Sequence, residues 1–204
     1  FIGWYMVSSG LVDRVDVSHY RLSIHLVTAF ILLSLIFWNF LKLTSLGKNQ
    51  VSFKLISIKF FLFLIFLQLV IGAFVSGMDA GKVYNTWPLM GSAYFPDDSK
   101  LIELLNIKVF DNPSIVQFVH RNLAYLIVII YFYILFKIIK EKNKLLNKSL
   151  VIIGLSLLLQ IILGILTLVS GVNIIYASLH QINSILIILS TLYLLYISKY
   201  KKIN

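Results

Sequence analysis

Apolar residues fill this chain in five long blocks separated by short polar stretches. The blocks run over residues 20–43, 57–77, 115–139, 150–170 and 177–198, each close to the ~20 residues a helix needs to cross a hydrocarbon core. Isoleucine, leucine and phenylalanine occupy every face of them, so helical periodicity carries little information, as expected for helices surrounded by lipid. The pattern predicts an all-α, polytopic membrane helical bundle with five complete transmembrane helices. A further apolar stretch, Phe1–Val7, is too short to cross and reads as the last two turns of a helix whose beginning lies upstream. The chain begins with Phe1 rather than Met and shows no signal peptide, so the expectation is of an incomplete chain.

The polar stretches set an orientation. Lys42, Lys48, Lys54 and Lys59 flank the first connection, Lys137, Lys140, Lys142, Lys144 and Lys148 the third, and Lys199, Lys201 and Lys202 the tail, with Glu141 the one acid among them. Basic connections face the cytoplasm. The other side carries Asp13, Asp16, Asp79, Asp97, Asp98, Glu103 and Asp111 with Arg14, Arg21, Lys82, Lys100, Lys108 and Arg121. This places the N-terminus of the chain outside and its C-terminus inside, with a long outer loop at 78–114 and a tight one at 171–176.

Composition narrows the chemistry. Of 204 residues 59% are hydrophobic, and the mean hydropathy of +0.92 is too high for an ordinary soluble domain. There is no cysteine, which excludes disulfides, zinc–thiolate sites and Cys-ligated iron–sulfur clusters. The net charge of +10 sits in short connections, which argues for membrane topology and against nucleic acid.

A unit recurs three times. IGWYMVSSGL at 2–11, QLVIGAFVSGMDAG at 68–81 and QIILGILTLVSGVN at 160–173 each carry a glycine in the apolar run (Gly3, Gly72, Gly164). Each ends in a Ser-Gly pair (Ser9-Gly10, Ser76-Gly77, Ser170-Gly171), and a connection then leads to a helix with histidine near its start: His25, His120 or His180. Repeated helix pairs often place binding sites between the repeats. Glycine and serine also simply permit close helix packing, but that does not explain a histidine recurring about one turn inside each span.

A lone histidine in a membrane helix is commonly an interhelical hydrogen-bonding group; three at one depth mark a functional site. No cysteine or nearby carboxylate favours zinc or copper, and methionine is scarce (Met6, Met78, Met90). A haem needs two axial ligands and an apolar slot. His120 and His180 form the natural pair, and His25 would ligate a second haem. His19, before the first span, reads as an ordinary exposed residue. Arg121 and Arg21 snorkel to the interface or pair with propionates. The outer stretch DAGKVYNTWPLMGSAYFP at 79–96 reads either as an aromatic belt (Tyr84, Trp87, Tyr94) or as a lid. As a lid, its Lys82, Asn85 and Thr86 would bond propionates, and Pro88 and Gly91 would fix its turns. A non-enzymatic bis-histidine b-type cytochrome, and a transporter or structural subunit without haem, share parts of this pattern.

GWYMVSSGL, YRLSIHL, GAFVSGMDAGKVYNTWPLM, VQFVHRNLAYL, LQIILGILTLVSG and ASLHQINS together resemble haem A synthase of the alphaproteobacterial and mitochondrial type, over nearly the whole chain. The resemblance implies helices four to eight of an eight-helix, pseudo-twofold pair of four-helix bundles. Residues 1–45 would belong to the N-terminal, substrate-haem bundle and 55–204 to the C-terminal, haem b bundle. It implies an oxidoreductase that converts a methyl group of haem O to a formyl group, giving haem A for cytochrome c oxidase. His120 and His180 would hold haem b as cofactor. His25 would take the catalytic position on the substrate haem iron, and Arg121, Lys82, Asn85 and Trp87 would surround the cofactor. The second substrate-haem histidine and its nearby glutamate have no counterpart here, so the chain on its own is expected to be inactive. Implied partners are haem O, haem O synthase, cytochrome oxidase assembly factors, the lipid bilayer and further copies of the chain, with no nucleic acid. The implied location is a bacterial cytoplasmic membrane.

Overall fold

The computed structural model describes residues 1–8, 17–44, 55–140 and 142–199. Ser9-Gly10, Asp13, Arg14, Asp16, Lys48, Lys54, Glu141, Lys201 and Lys202 lie outside them. A short helix α1 (Ile2–Ser8) is followed by five long ones: α2 (His19–Leu43), α3 (Leu55–Gly77), α4 (Pro113–Ile139), α5 (Lys144–Val169) and α6 (Ile174–Lys199). All five are long and apolar enough to cross a membrane, and the protein is a multi-pass membrane protein.

The long helices begin between one residue (α2) and six residues (α5) before the apolar blocks that predict them. The Asn112 side chain accepts hydrogen bonds from the amides of Ser114 and Ile115, with Pro113 in the first helical turn. Asn143 does the same for Leu145 and Leu146, and Asn173 Oδ1 accepts from Ile175 N. These caps satisfy amides that have no partner within the helix and let polar residues form its first turn. His25, His120 and His180 consequently lie roughly two turns inside their helices, not the one turn that hydropathy suggests.

α3 packs on α4 and α6, and α5 packs on α4 and α6, so the four form a ring with α4 and α6 on one diagonal. α2 lies against α3 and α6, and α1 against α2. Close approach depends on absent side chains: a Cβ on Gly77 would sit 2.8 Å from the backbone of His19, and one on Gly154 would strike the Tyr131 hydroxyl. That hydroxyl donates to the Leu150 carbonyl at 3.0 Å, joining α4 to α5. Hydroxyls along the helices return to carbonyls one turn back, as with Thr28 to Ile24, Ser34 to Phe30 and Thr191 to Ile187, as an apolar medium requires. The main apolar core joins α2 through α6 around Phe61, Ile134, Ile138, Leu146, Leu150, Ile188 and Leu194, in the half of the bundle away from the histidines.

Between α3 and α4 the chain forms three short 3-10 helices, Ala80–Lys82, Leu101–Leu105 and Ile107–Asp111. It folds over the histidine-bearing end. Asn112 is central here, because its amide also donates to Ser99 Oγ at 3.2 Å and Glu103 Oε2 at 3.3 Å.

Replacing either capping asparagine by alanine removes two capped amides and is expected to cost about 1 kcal/mol. Asn112→Ala should lower the thermal midpoint in detergent further than Asn143→Ala, because only Asn112 also ties the loop. Equal losses would show that the loop bonds contribute nothing.

Candidate functional site

The three histidines occupy one recurring contact. A Cβ on Gly3 would lie 3.0 Å from His25 Cε1, one on Gly72 3.2 Å from His120 Cε1, and one on Gly164 3.0 Å from His180 Cε1. In every helix pair the imidazole thus rests on the backbone of the preceding helix, where only glycine leaves room. The contact fixes ring depth and brings the two helices together.

Around two of the rings a second element repeats. Gln68 and Gln160 each stand four residues before the glycine. Gln68 Nε2 donates to the His120 carbonyl at 3.0 Å and lies 3.2 Å from both ring nitrogens. Gln160 Nε2 donates to the His180 carbonyl at 2.9 Å, and His180 Nδ1 lies 3.1 Å from the Gln160 carbonyl. A carbonyl accepts only, so Nδ1 carries the hydrogen and Nε2 keeps its lone pair. Asn183, one turn after His180 and buried, donates to Gln160 Oε1 at 2.7 Å and to the Ser156 carbonyl at 2.8 Å.

His120 and His180 belong to the diagonal helices α4 and α6. Packing is loose around both. None of residues 118–126 on α4 and none of 174–182 on α6 is buried, whereas Ile127, Ile134, Ile187 and Ile188 beyond them are. Nine residues make about two and a half turns and so include every direction around a helix. Even the inward positions of these segments are therefore incompletely covered. His25 is placed differently, on α2 outside the ring of four. Below it, Leu26, Ala29, Phe30 and Leu33 face Ser178, Gln181, Ile182 and Ile185 of α6 across a groove of about 340 Å³.

The loop is bound down on this end of the bundle. Gln117 Nε2 and Arg121 Nη2 both donate to the Tyr84 carbonyl, at 3.0 and 3.2 Å, and Arg121 Nη1 donates to the Leu89 carbonyl at 3.3 Å. Asn85 Nδ2 donates to the carbonyls of Gly81 (2.9 Å) and Leu168 (3.0 Å), and a Cβ on Gly81 would meet Val172 at 3.0 Å. Lys82 pairs with Asp79 at 3.0 Å. Trp87 is half exposed, while Met90 is buried. Gly91 has φ +71°, and its amide donates to Thr86 Oγ1 at 2.8 Å. Tyr94 donates to Asn122 Oδ1. Arg121, Lys82, Asn85 and Trp87 thus stand in and beneath one loop, with the polar groups of the first three engaged chiefly with it.

His19 differs from its sequence reading. Its side chain is 16% exposed, lies against the tilted Tyr20 ring at 4.1 Å, meets Phe74 edge-on at 5.1 Å and lies 3.5 Å from the Asp111 carboxylate. The helix begins at His19, so the residue faces α3 and the loop instead of solvent. Sequence reasoning passed over Gln68, Gln160, Gln117 and Asn183. The first two open the second and third repeats, so a Gln four residues before the glycine was a visible signal.

The residues fit a haem iron. Two imidazoles stand on diagonal helices in a loosely packed apolar setting, each cradled by glycine. Gln68 Oε1 is a buried acceptor without a hydrogen-bond partner among the described residues, where a ligating histidine needs an acceptor for its second N–H.

The family model described as COX15-CtaA, cytochrome oxidase assembly protein, matches residues 1–192. The chain is 47% identical to the haem A synthase of Pelagibacter ubique, over 96% of its own length and 58% of that protein. It is 40% identical to the haem A synthase of Wolbachia pipientis over 96% of its length and 55% of the relative. For that of Rickettsia bellii the identity is 39%, over 92% and 57%. The chain therefore spans a little over half the length of these relatives. No solved structure matches it.

The loop's own chemistry gives a test. Loss of solvent around Tyr84, reinforced by its hydrogen bond to Asp97, pushes the phenol up from 10.0 to about 12. Burial alone would raise the Asp98 carboxyl, but hydrogen bonds from Ser114 and Ser99 outweigh it and hold it below the usual aspartate value of 3.8. A raised phenol stabilises the fold fully below its unfolded value and ceases to as pH climbs through about 12. A lowered carboxyl stabilises above the ordinary aspartate range and ceases to as pH falls through its depressed value. An ultraviolet phenolate titration of the protein minus that of Tyr84→Phe should show this tyrosine ionising near 12; ionisation near 10 would mean the loop leaves it in water.

Proposed function

Because the chain belongs to the COX15-CtaA family of cytochrome oxidase assembly proteins, we propose that it serves haem A synthesis, the oxidation of a haem O methyl group to a formyl group for cytochrome c oxidase. The observation that carries the reading is the pair His120 and His180, set on diagonal helices in a loosely packed part of the bundle, each ring resting on a glycine of the preceding helix. These two would hold haem b, in a C-terminal bundle within 55–204. Haem b bound there supplies reversible one-electron chemistry next to the substrate.

The chain's own residues do the rest. His180 presents Nε2 because its Nδ1 hydrogen is committed to the Gln160 carbonyl. Gly72 and Gly164 hold both rings at a fixed depth. Arg121, fixed under the loop by the Tyr84 and Leu89 carbonyls, offers a guanidinium to a propionate. Lys82, Asn85 and Trp87 bring the loop against the same edge of the cofactor, Asn85 by tying it to Leu168. His25, on α2 in the portion that includes 1–45, orients the substrate haem. Haem O synthase, cytochrome oxidase assembly factors and further copies of the chain are the proposed partners. The proposed setting is a bacterial cytoplasmic membrane, with the N-terminus of the chain outside and its C-terminus in the cytoplasm.

The experiment is a reduced-minus-oxidised spectrum of the purified chain. A low-spin b-type spectrum is expected, lost in His120→Ala and in His180→Ala and kept in His25→Ala. Gly72→Ala and Gly164→Ala should weaken haem retention by about tenfold or more, since the added Cβ displaces a ligand. A spectrum indifferent to both His120 and His180 overturns the reading.

A further inference from the structure

The two histidines that the preceding reading gives to haem b differ in their surroundings. His180 has a backbone acceptor for its Nδ1 hydrogen, the Gln160 carbonyl at 3.1 Å. The Gln160 side chain is occupied elsewhere: Nε2 on the His180 carbonyl and Oε1 on Asn183. For His120 no backbone carbonyl stands beside the ring among the described hydrogen bonds. Its neighbour is the Gln68 amide, 3.2 Å from each ring nitrogen through Nε2. The residue three after His120 is Leu123, where the other half has Asn183. Gln68 Oε1 therefore lacks the donor that Asn183 gives Gln160, and it is buried without a partner among the described residues.

We propose that Gln68 is the positioning residue of His120, turning its amide so that Oε1 accepts the Nδ1 hydrogen when Nε2 binds iron. The inference rests on the haem b reading and follows from elementary donor and acceptor rules. An imidazole that ligates through Nε2 must carry its hydrogen on Nδ1, and an N–H facing an amide NH2 has no acceptor. Nε2 is equidistant from the two ring nitrogens and so lies over the ring face; to accept in line with Nδ1–H, the side chain swings Oε1 to the ring edge, exchanging the bond to the His120 carbonyl for one to the ring. Ligating histidines nearly always give their second N–H to such an acceptor, which orients the ring and makes it a stronger donor to the metal. The two halves of the repeat thus solve one requirement differently: a main-chain oxygen for His180 and a side-chain oxygen for His120. Substitution can remove only the second.

The test is the haem midpoint potential of the full chain in detergent, with the low-spin spectrum as the check on ligation. A stronger imidazole donor favours ferric iron, so Gln68→Met should raise the midpoint and weaken haem retention. Gln68→Glu, which keeps an oxygen acceptor, should hold it at or below the wild-type value. Gln160→Met keeps its main-chain carbonyl beside His180 and should shift the midpoint less than Gln68→Met does. Haem lost from Gln68→Met but kept by Gln68→Glu supports the assignment. An unchanged midpoint in Gln68→Met, haem lost from both Gln68 variants, or a shift or loss in Gln160→Met as large as in Gln68→Met overturns it. Absence of a bis-histidine spectrum in the wild type would sink the haem b reading itself, a different failure.

Discussion

Glycine against imidazole is the contact on which the rest of the structure depends. In lipid, helices gain nothing from hiding apolar surface from one another, so their association needs close fit and satisfied polar groups. The Gly3–His25, Gly72–His120 and Gly164–His180 contacts provide both. The missing Cβ lets the backbones approach, and the polar ring projecting from one helix is sheltered by the next. The same contact sets how far the imidazole reaches into the bundle. Packing and chemistry are therefore one requirement at these positions, and a change that relieves the first alters the second.

The bundle has two regimes. In the half away from the histidines, Ile134, Ile138, Leu146, Leu150 and Ile188 are fully enclosed. In the other half, equally apolar sequence on α4 and α6 stays partly open, and a loop that is polar in its bonds replaces helix packing as the fastening. Gln117 and Arg121 hold it to α4, while Asn85 and Gly81 hold it to the end of α5 and the following turn. A rigid base and an open, loop-covered top are a natural division where one end of a bundle must receive a large planar group.

Much of this was legible in the chain. The five helices follow from length and hydropathy alone, because lipid leaves helices as the natural way for such blocks to satisfy their backbone. The glycine and histidine positions follow from the repeat. The helix starts did not, because hydropathy cannot see Asn112 or Asn143 turning back to cap amides. His19 was misplaced for the same reason: the boundary lay one residue too late, which moved it from the helix to the solvent. The glutamines were in plain view at the head of two repeats. Their meaning depends on which neighbour answers each amide, and Asn183 opposite Gln160 against Leu123 near Gln68 is a fact of three dimensions.

The bond from Asn85 to Leu168 joins residues 83 apart in sequence, and it bears on the order of assembly. A chain threaded into a membrane from its beginning presents α3, the loop and α4 before α5 exists. The loop then has its α4 fastening but not its second one, and His120 has no opposite number. Only after α5 turns at Gly171 and α6 enters do the distal anchor and His180 arrive together. If His120 and His180 hold the haem as proposed, its loading waits for the close of biogenesis, and a half-inserted chain offers iron porphyrin only one of the two rings.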